Sequence, residues 1–329
     1  MSLKITKAGI LDTIQDKGRY GFRHLGINPS GAMDKFSAQV CNALLGKELN
    51  EPVIEMHFPA SQFIFEQTTI ACLTGADFSA TVNNKPVPIF QPVLVPAGSL
   101  LQFKKLVAGA HCYLALLHEM EFDEWLGSAS TNLKAVAGGY KGRPLEKADS
   151  ISFKEKFDLS SLDHSGLINM HWKVFPPHIN NCLDCIKGPE WEWLTGEAQW
   201  NFQNNSFTIS NLSDRMGYRL FGENLEAEKG KEMISSAVDF GTIQLLPNGQ
   251  LIILMADHQT TGGYPRVANL SSTTLSSIAQ LRPGHEINFR FISVMDAEDK
   301  LVQQRKYLEQ LQNACKLKIE NFLHASLRS

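Results

Sequence analysis

The chain has 329 residues, of which 43% are hydrophobic and 20% are charged, as is ordinary for a soluble globular protein. This length predicts two domains. Because 31 basic and 34 acidic residues are spread along the chain, a concentrated basic surface for nucleic acid is not expected. No apolar run approaches the roughly 20 residues that span a bilayer, and the first residues lack the apolar segment of a signal peptide. We therefore expect a cytoplasmic protein without a membrane partner.

The pattern in chain order predicts a mainly β protein with a helix near each end. Asp34 can cap a helix that ends at Gly46. Residues 297–323 form a charged amphipathic stretch that predicts a long C-terminal helix. Between them, apolar or alternating runs separated by turn residues predict short strands. The predicted strands are 63–65, 69–73, 92–95, 100–103, 113–117, 206–210, 251–255 and 286–292.

The six cysteines are interpreted as reduced thiols. Cys182 and Cys185 have the spacing of metal ligands, but no second pair of ligands follows at a suitable distance, so no metal site is predicted. His178 keeps a zinc site open as an alternative.

An internal repeat is the most informative feature of the chain. The Arg-x-Gly-aromatic-Arg pattern of residues 19–26 recurs at residues 215–222. An Ala-Asp pair follows in each half, and then a Pro/Gly turn with a phenylalanine five residues past the glycine. The shared order predicts two related β-rich domains, residues 1–165 and 166–329, with a divider near residues 155–180. Clefts between domains are favoured places for ligands, so a site is expected there.

The first motif places Gln15, Asp16 and Arg19 among closely spaced glycines and continues to Asp34. Glycines allow close approach of the backbone, and an arginine offers a planar fork for carboxylate or phosphate. An Asp16–Arg19 pair that only fixes a turn is the alternative interpretation. Asp34 is equally interpretable as a helix cap or as a catalytic carboxylate.

The second motif, residues 255–265, follows an almost wholly apolar strand. Asp257, Thr260 and Thr261 stand beside Gly262 and Gly263. Such a compact set of donors and acceptors suits an amide, carboxylate or phosphate ligand. A purely structural turn does not need so many polar side chains.

Two further arginines lie in polar loops. Arg143 lies in the glycine-rich stretch 138–145, which is either an anion-contacting loop or an exposed flexible one. Arg215 lies in the second copy of the repeat, where it either binds a ligand or pairs with Asp214. The chain has no phosphate-binding loop, dinucleotide fingerprint, nucleophile elbow or biotin attachment sequence.

These motifs give the chain a specific resemblance to one family. It rests on five sequence blocks, which begin at residues 13, 31, 142, 213 and 257. In that order they are Thr-Ile-Gln-Asp-Lys-Gly-Arg, Gly-Ala-Met-Asp, Gly-Arg-Pro-Leu, Ser-Asp-Arg-Met-Gly-Tyr-Arg-Leu and Asp-His-Gln-Thr-Thr-Gly-Gly-Tyr-Pro. In this order they resemble the biotin-dependent carboxyltransferase-like family, which includes the C subunit of 5-oxoprolinase, allophanate hydrolase subunit 2, the carboxyltransferase segment of urea carboxylase and the kinase-A-inhibitor antagonist KipA.

The resemblance implies two cyclophilin-like β-barrel domains with a site between them. It implies ATP-dependent hydrolysis of 5-oxo-L-proline, a small lactam, to L-glutamate. The reaction would occur in a complex with cognate A and B subunits that share the ATP, the B subunit resembling a kinase-A inhibitor. The residues expected in catalysis are Asp16, Asp257, Thr260 and Thr261. The residues expected to bind substrate are Gln15, Arg19, Asp34, Arg143, Arg215, Gly262, Gly263 and Tyr264.

Two departures from the family pattern leave the substrate open. Leu117-His118-Glu119 stands where relatives commonly carry Gly-Gly, and Lys187-Gly-Pro189 lacks a preceding arginine. One alternative function is biotin-dependent carboxyl transfer to a urea-like amide, with biotin on a separate carrier. The other is a regulatory binding module that antagonises a kinase inhibitor.

Overall fold

Short β-strands dominate the computed structural model, which describes residues 2–154, 158–228 and 233–326. The chain forms two units. The first unit comprises Met1–Gly18, Asp34–Pro177 and Arg305–Ser329, and the second comprises Arg19–Met33 and His178–Gln304. The segment Arg19–Met33 thus belongs to the second unit despite its early place in the chain. The bounds 1–165 and 166–329 remain predictions, and the predicted divider includes residues 155–157, which lie outside the described residues.

The first unit has strands in two sheets. They are β1 (Ser2–Lys7), β2 (Thr13–Gln15), β3 (Val53–Met56), β4 (Gln62–Phe65), β5 (Thr69–Asp77), β6 (Ala80–Val82), β7 (Lys85–Pro86), β8 (Val93–Val95), β9 (Leu100–Phe103), β10 (Ala108–Leu116), β11 (Glu119–Met120), β12 (Ser150–Lys154) and β13 (Ile168–Asn169). The strand orders are β11-β12-β1-β4-β9-β6-β7 and β13-β8-β5-β10-β3-β2.

The core of the first unit follows from the two-residue period of its strands. Ile54 and Met56 on β3 and Leu114 and Leu116 on β10 are buried in one apolar cluster. The residues between them therefore project to the opposite face of the six-stranded sheet. Predicted strands 63–65, 69–73, 92–95, 100–103 and 113–117 are confirmed, with ends that differ by five residues at most.

Helix α1 (Lys35–Leu44) begins where the sequence predicts, because Asp34 caps it. The Asp34 carboxylate accepts hydrogen bonds from the Ser37 amide at 3.0 Å and the Ser37 hydroxyl at 2.6 Å. The first unit also contains a short 3-10 turn, Ser160–Ser165. Gly46 follows α1 with φ +65, and a Cβ there would lie 2.6 Å from the Lys316 Cα, so this position requires glycine.

The second unit contains a closed barrel. Its strands are β14 (Cys182–Lys187), β15 (Phe207–Ile209), β16 (Gly217–Phe221), β17 (Ser236–Ala237), β18 (Thr242–Leu245), β19 (Leu251–Leu254), β20 (Thr261–Gly262), β21 (Arg266–Leu270) and β22 (Glu286–Phe291). The barrel order is β14-β21-β18-β19-β16-β15-β22, and β17 pairs with β20 outside it. Helices α2 (Gly196–Asn204) and α3 (Leu275–Gln280) and 3-10 turns Arg23–Leu25, Trp191–Trp193 and Ser272–Thr274 accompany it.

The barrel core is aromatic on one side. Phe202 on α2 stacks on Phe289 with ring centroids 4.6 Å apart, and Trp191 meets Phe202 edge-on at 5.3 Å. These rings and the apolar side of β19 belong to one buried cluster. The predicted strands 206–210, 251–255 and 286–292 are confirmed here.

The two copies of the sequence repeat adopt different local structures. The first copy contains the 3-10 turn Arg23–Leu25, whereas the second forms strand β16. The difference arises because β16 pairs with β15 and β19 in the barrel ladder. The mainly β class is confirmed, and the duplication remains a prediction.

The predicted C-terminal helix is confirmed as α4 (Val294–Ser326). Its residues up to Gln304 belong to the second unit and those from Arg305 to the first. Leu308, Cys315 and Ile319 are buried at helical spacing, which gives α4 one apolar face along its second part. Among the described helices, none is both long and apolar enough to cross a membrane.

Candidate functional site

The candidate site is built where strand β19 ends in the second unit. The β16–β19 ladder pairs Gly217 with Leu254, and the Met255 amide then donates to the Met216 carbonyl at 3.0 Å. The Asp257 amide donates to the Arg215 carbonyl at 2.7 Å. Because the pairing continues beyond the strands, it brings the side chains of Arg215 and Asp257 together.

These two side chains form a mostly buried ion pair. Arg215 Nε lies 2.8 Å from Asp257 Oδ2, and Arg215 Nη2 lies 3.3 Å from Oδ1. Arg215 Nη2 also donates to the Gly31 carbonyl at 2.7 Å, and the Ser30 hydroxyl donates to Asp257 Oδ1 at 2.6 Å. The side chains of Arg215 and Asp257 are only 10% and 18% exposed. The pair thus ties the end of a barrel strand to the segment around Ser30.

The charges around Asp257 keep its carboxylate ionised. Burial alone raises its pKa, but the charge and hydrogen bonds of Arg215, the Ser30 hydroxyl and the charge of Arg19 together lower the pKa below the usual value. Arg19 is itself almost completely buried. A carboxyl group with a lowered pKa holds no proton at neutral pH. Asp257 can therefore orient a ligand or accept a proton weakly, but it cannot act as a proton donor at neutral pH.

His258 follows Asp257 and is buried. Its Nδ1 lies 2.8 Å from the Met255 carbonyl oxygen. Since a carbonyl only accepts, Nδ1 is the protonated nitrogen that donates to it. Nε2 lies 4.0 Å from the Asp239 carboxylate, which Arg23 contacts at 3.2 Å. Arg23 also donates to the Val238 carbonyl.

The remainder of the second motif forms strand β20 and the turn after it. Thr261 and Gly262 pair with Ala237 and Ser236, and the Val238 amide donates to the Thr260 carbonyl at 3.3 Å. A Cβ at position 262 would lie 2.5 Å from Gln244 Nε2, so a side chain there would displace the Gln244 amide. Thr261, Gly263 and Tyr264 are exposed. They are accessible to a ligand.

A cavity of about 500 Å³ opens beside this loop within the second unit. Gln259 and Tyr264 from the motif line it together with Gly217 and Gln244 from the barrel wall. The Tyr264 carbonyl accepts a hydrogen bond from Gln244 Nε2 at 3.1 Å. Asp257 does not line this cavity. The loop therefore directs Gln259 and Tyr264 towards the cavity, whereas the Asp257 side chain is paired with Arg215.

Two predicted site residues of the first unit hold its own loops. Asp16 accepts hydrogen bonds from the Gly18 amide at 2.7 Å, the Ala129 amide at 2.8 Å, and the hydroxyls of Ser128 at 2.7 Å and Ser130 at 2.5 Å. The neighbouring Gln15 donates to the Thr13 hydroxyl at 3.0 Å and is buried. These contacts give Asp16 a structural function, and its catalytic role remains a prediction.

Arg143 makes a two-pronged ion pair with Asp149 at 2.7 and 2.8 Å. It also donates to the Pro144 carbonyl at 2.8 Å. Asp34 caps α1 as described above. The ligand-binding roles predicted for Arg143 and Asp34 remain predictions beside these structural contacts.

Of the predicted site residues, the structure brings Arg19, Arg215 and Asp257 together in the second unit. Thr260, Thr261, Gly262, Gly263 and Tyr264 follow in the same loop. Ser30 is not among the predicted residues. The only signal for it is its position directly before the Gly-Ala-Met-Asp block.

Comparisons with known proteins agree with this fold. The chain is 35% identical to the 5-oxoprolinase C subunit of Haemophilus influenzae over 91% of this chain and 94% of that one. It is 34% identical to the 5-oxoprolinase C subunit of Escherichia coli strain K12 over 94% and 97%. The crystal structure of the K. lactis urea amidolyase matches with a TM-score of 0.85 and 23% identity over 94% of this chain, which spans 20% of that protein.

The likeness to the urea amidolyase concerns the fold alone, because the identity is low. A family model described as carboxyltransferase domain, subdomain A and B, matches residues 25–291, which is most of the chain. Together with the two relatives aligned over nearly their full lengths, this match establishes the family: the chain belongs to the carboxyltransferase domain, subdomain A and B, family.

Proposed function

We propose that this chain is the C subunit of an ATP-dependent 5-oxoprolinase, which acts with its A and B subunits to hydrolyse 5-oxo-L-proline to L-glutamate. The observation that carries the proposal is the identity of the match. The chain is 35% and 34% identical to the two 5-oxoprolinase C subunits over nearly their full lengths, but 27% identical to the urea amidolyase of Lachancea kluyveri. The higher identity supports a subunit of the oxoprolinase type.

The charges at the candidate site suit an anionic substrate. Asp257 is flanked by the guanidinium groups of Arg215 and Arg19, so positive charge surrounds a single fixed carboxylate. 5-Oxoproline carries a carboxylate, and its phosphorylated form carries more negative charge. In this proposal Arg19 and Arg215 attract the anion, and Asp257 holds Arg215 in place.

The loop after Asp257 supplies groups for the lactam. We propose that this loop holds the amide through the Thr260 and Thr261 hydroxyls and the backbone of Gly262 and Gly263. Thr261 and Gly263 are exposed, so a ligand can reach the loop. Tyr264 lines the neighbouring cavity and is proposed to close one side of the substrate.

The lactam carbonyl of 5-oxoproline is a poor electrophile, so it must be activated before water can attack it. Phosphorylation of the lactam oxygen by ATP releases ADP and makes that oxygen a leaving group. Water then attacks the carbon that bears this oxygen, the ring C–N bond breaks with the nitrogen leaving as an amine, and an acyl phosphate remains. A second water hydrolyses the acyl phosphate to L-glutamate and phosphate. We assign ATP to the complex with the A and B subunits, with this chain binding and orienting the lactam.

A second candidate is carboxyl transfer to a urea-like amide. The family description and the 27% identity to the urea amidolyase of Lachancea kluyveri favour it. It needs biotin on a separate carrier. A regulatory binding module that antagonises a kinase inhibitor is the third possibility, and it predicts tight association with the B subunit that survives a change of Asp257.

The test is 5-oxoproline-dependent ADP release by this chain reconstituted with its cognate A and B subunits, with mixtures that omit one of the three as controls. We expect release only when all three are present. If the complete complex assembles without turning over 5-oxoproline, the oxoprolinase proposal fails, and carboxylation of urea-like amides with a biotin carrier is measured on the same complex. If neither reaction occurs while the B subunit still associates tightly, the regulatory function is supported.

A further inference from the structure

A second cluster of reactive side chains lies in the first unit, on the face of the six-stranded sheet opposite its core. Glu55 on β3 stands directly across from Tyr113 on β10. Their strand neighbours Met56 and Cys112 point into the core, so Glu55 and Tyr113 point away from it. One further step of the alternation places His57 and His111 on the same face as Glu55.

The pairing of the strands brings the two histidine rings into contact. The ring centroids of His57 and His111 are 4.6 Å apart with the rings edge to face. The pairing of β10 with β5 is irregular between Ala108 and Cys112, the stretch that contains His111. Such irregularities are common beside functional sites, where they redirect a side chain.

The ligand atoms of this cluster have a geometry close to that of a metal site. One nitrogen from each of His57 and His111 and one carboxylate oxygen of Glu55 all lie within 4.8 Å of one another. Tetrahedral zinc with bonds of about 2.0–2.1 Å separates its ligand atoms by about 3.3 Å. Binding of an ion at this site therefore requires the ligand atoms to move closer together. Within residues 2–154, 158–228 and 233–326, this is the group of at least three metal-ligating side chains whose ligand atoms all lie within 4.8 Å of one another.

His57 is oriented as metal-binding histidines are. Its Nδ1 lies 2.7 Å from the Leu11 carbonyl oxygen, so Nδ1 is the donor to that carbonyl and Nε2 is the nitrogen that remains for a metal. A hydrogen bond from the second ring nitrogen to a backbone carbonyl is the usual outer-shell partner of a metal-binding histidine. His57 is partly exposed, whereas Glu55 and His111 are buried, so an ion can approach beside His57.

The carboxylate is held by a chain of hydrogen bonds. The Tyr113 hydroxyl donates to Glu55 Oε2 at 2.9 Å and accepts from the Asp34 amide at 2.7 Å. Asp12 lies next to the cluster, and its carboxylate accepts from the His57 amide at 3.1 Å. Two acidic side chains beside two imidazoles form a donor set that suits a divalent ion of borderline softness.

We propose that Glu55, His57 and His111 form a zinc-binding site, in which His57 Nε2, one nitrogen of His111 and one Glu55 oxygen hold the ion. Two histidines and a glutamate leave the fourth tetrahedral position to water or a small ligand. The proposal does not depend on the proposed oxoprolinase function. The sequence alone does not predict the site, because Glu55 and His57, on and directly after β3, lie more than fifty residues from His111 on β10 in the chain.

The alternative is that the two rings are a packing pair without a metal. A further alternative follows from the sequence, in which zinc binds at Cys182, Cys185 and the exposed His178. The site is tested by titrating the full-length, chelator-treated chain with Zn²⁺ and, separately, with Co²⁺ while its electronic spectrum is recorded. The variants are His57→Asn, Glu55→Gln and the matched control His178→Ala.

We expect one Zn²⁺ per chain for the unaltered protein and for His178→Ala. The asparagine of His57→Asn keeps a donor for the Leu11 carbonyl but lacks a counterpart of Nε2. This variant should therefore weaken binding by more than about 100-fold, since even outer-shell groups contribute about 10–100-fold. Glu55→Gln keeps an acceptor for Tyr113 and should weaken binding by a similar factor. Circular dichroism of each variant verifies that it is folded.

The Co²⁺ spectrum tests the site even if a variant does not fold. Nitrogen and oxygen ligands should give tetrahedral d–d bands without the near-ultraviolet charge-transfer band of a thiolate. Absence of Zn²⁺ binding by the unaltered chain overturns the proposal. A thiolate band, or binding that is lost in His178→Ala and kept in His57→Asn, assigns the metal to the cysteines and overturns it as well.

Discussion

Two arginine–aspartate pairs of this protein look alike in isolation but differ in what they connect. Arg143 and Asp149 are six residues apart and make two hydrogen bonds of 2.7 and 2.8 Å. Asp149 also accepts from the Glu146 amide at 2.7 Å. All these contacts stay within one turn, so this pair fixes a local conformation.

The Arg215–Asp257 pair instead joins segments that are distant in sequence. Besides the 2.8 Å ion pair, Asp257 receives the Ser30 hydroxyl, and Arg215 reaches the Gly31 carbonyl. The carboxyl pKa is lowered in both pairs against the opposing effect of burial. The electrostatics of the two aspartates therefore do not distinguish a site from a turn, but their connections do.

A third pair shows that sequence distance alone is not sufficient. Glu190 and Arg266 are 76 residues apart and are joined by hydrogen bonds of 2.7 and 2.9 Å. Glu190 also accepts from the Arg266 amide at 3.0 Å, so this pair fastens a barrel strand. Asp257 differs because it begins a loop whose following residues are exposed and line a cavity.

The largest effect is expected for Asp257→Asn. Asparagine keeps the size of the side chain and an acceptor for Ser30, but it leaves the buried Arg215 without its counter-charge. We expect 5-oxoproline-dependent ADP release by the reconstituted complex to fall by about 100- to 1000-fold, the range for loss of one preorganised electrostatic group.

The matched control is Asp149→Asn, which makes the same chemical change in the local pair. Thermal unfolding verifies that Asp257→Asn is folded at the assay temperature, because removal of one partner of a buried pair costs about 3–5 kcal/mol. ADP release within about threefold of the unaltered chain, by a folded Asp257→Asn protein, would remove Asp257 from the site.

The next largest effect is expected for Arg215→Lys. Lysine keeps the charge but cannot contact both Asp257 oxygens and the Gly31 carbonyl with one planar group. We expect ADP release to fall by about 10- to 100-fold, mostly through a higher KM for 5-oxoproline, because Arg215 is proposed to attract the substrate anion. A loss confined to kcat would instead indicate that Arg215 acts by positioning Asp257.

A smaller effect is expected for Ser30→Ala. A hydrogen bond to a charged group contributes about 1.5–3 kcal/mol, and because Arg215 still pairs with Asp257 in the variant we expect the lower end of this range, a fall in ADP release of about tenfold. Because the Ser30 hydroxyl lowers the Asp257 pKa, that pKa should rise in the variant. The acidic limb of the pH–rate profile should therefore move to higher pH, and an unchanged limb with reduced activity would assign Ser30 a purely structural role.

Local signals explain the parts of this molecule that sequence analysis predicts. The position of Asp34 before an apolar helical face predicts a helix cap, and Asp34 caps α1. A polar, accessible loop is predicted after Leu254 because a buried strand ends there, and Thr261 and Gly263 are exposed in it. Both features depend on residues within one element and its immediate flank.

The features that sequence analysis does not predict depend on which distant residues meet. The bond from Ser30 to Asp257 spans 227 residues, and the seryl side chain carries no signal of its own. Likewise, the pairing of His57 with His111 follows from the register of β3 and β10, which a single sequence does not reveal. The hydrogen bonds of Asp16 to residues 128–130 are unpredictable for the same reason.

The smallest effect on activity is expected for Asp149→Asn, and its informative readout is stability. At pH 7 we expect ADP release within about twofold of the unaltered chain and a loss of about 1 kcal/mol in the free energy of unfolding measured with urea, as for a partly exposed ion pair. The folded-state pKa of Asp149 is lowered, so its stabilisation is present above the unfolded-state pKa of about 3.9 and is lost as the pH falls through the folded value.

The stability difference between Asp149→Asn and the unaltered chain should therefore shrink as the pH falls below about 3.9. The other carboxylates with lowered pKa, including Asp257, titrate equally in both proteins and cancel in this difference. A difference that stays constant with pH would show that the asparagine disturbs the turn itself instead of removing an ion pair. A large loss of ADP release with little loss of stability would assign Arg143 and its loop a function in the reaction, and the distinction between the local and the long-range pair would then fail.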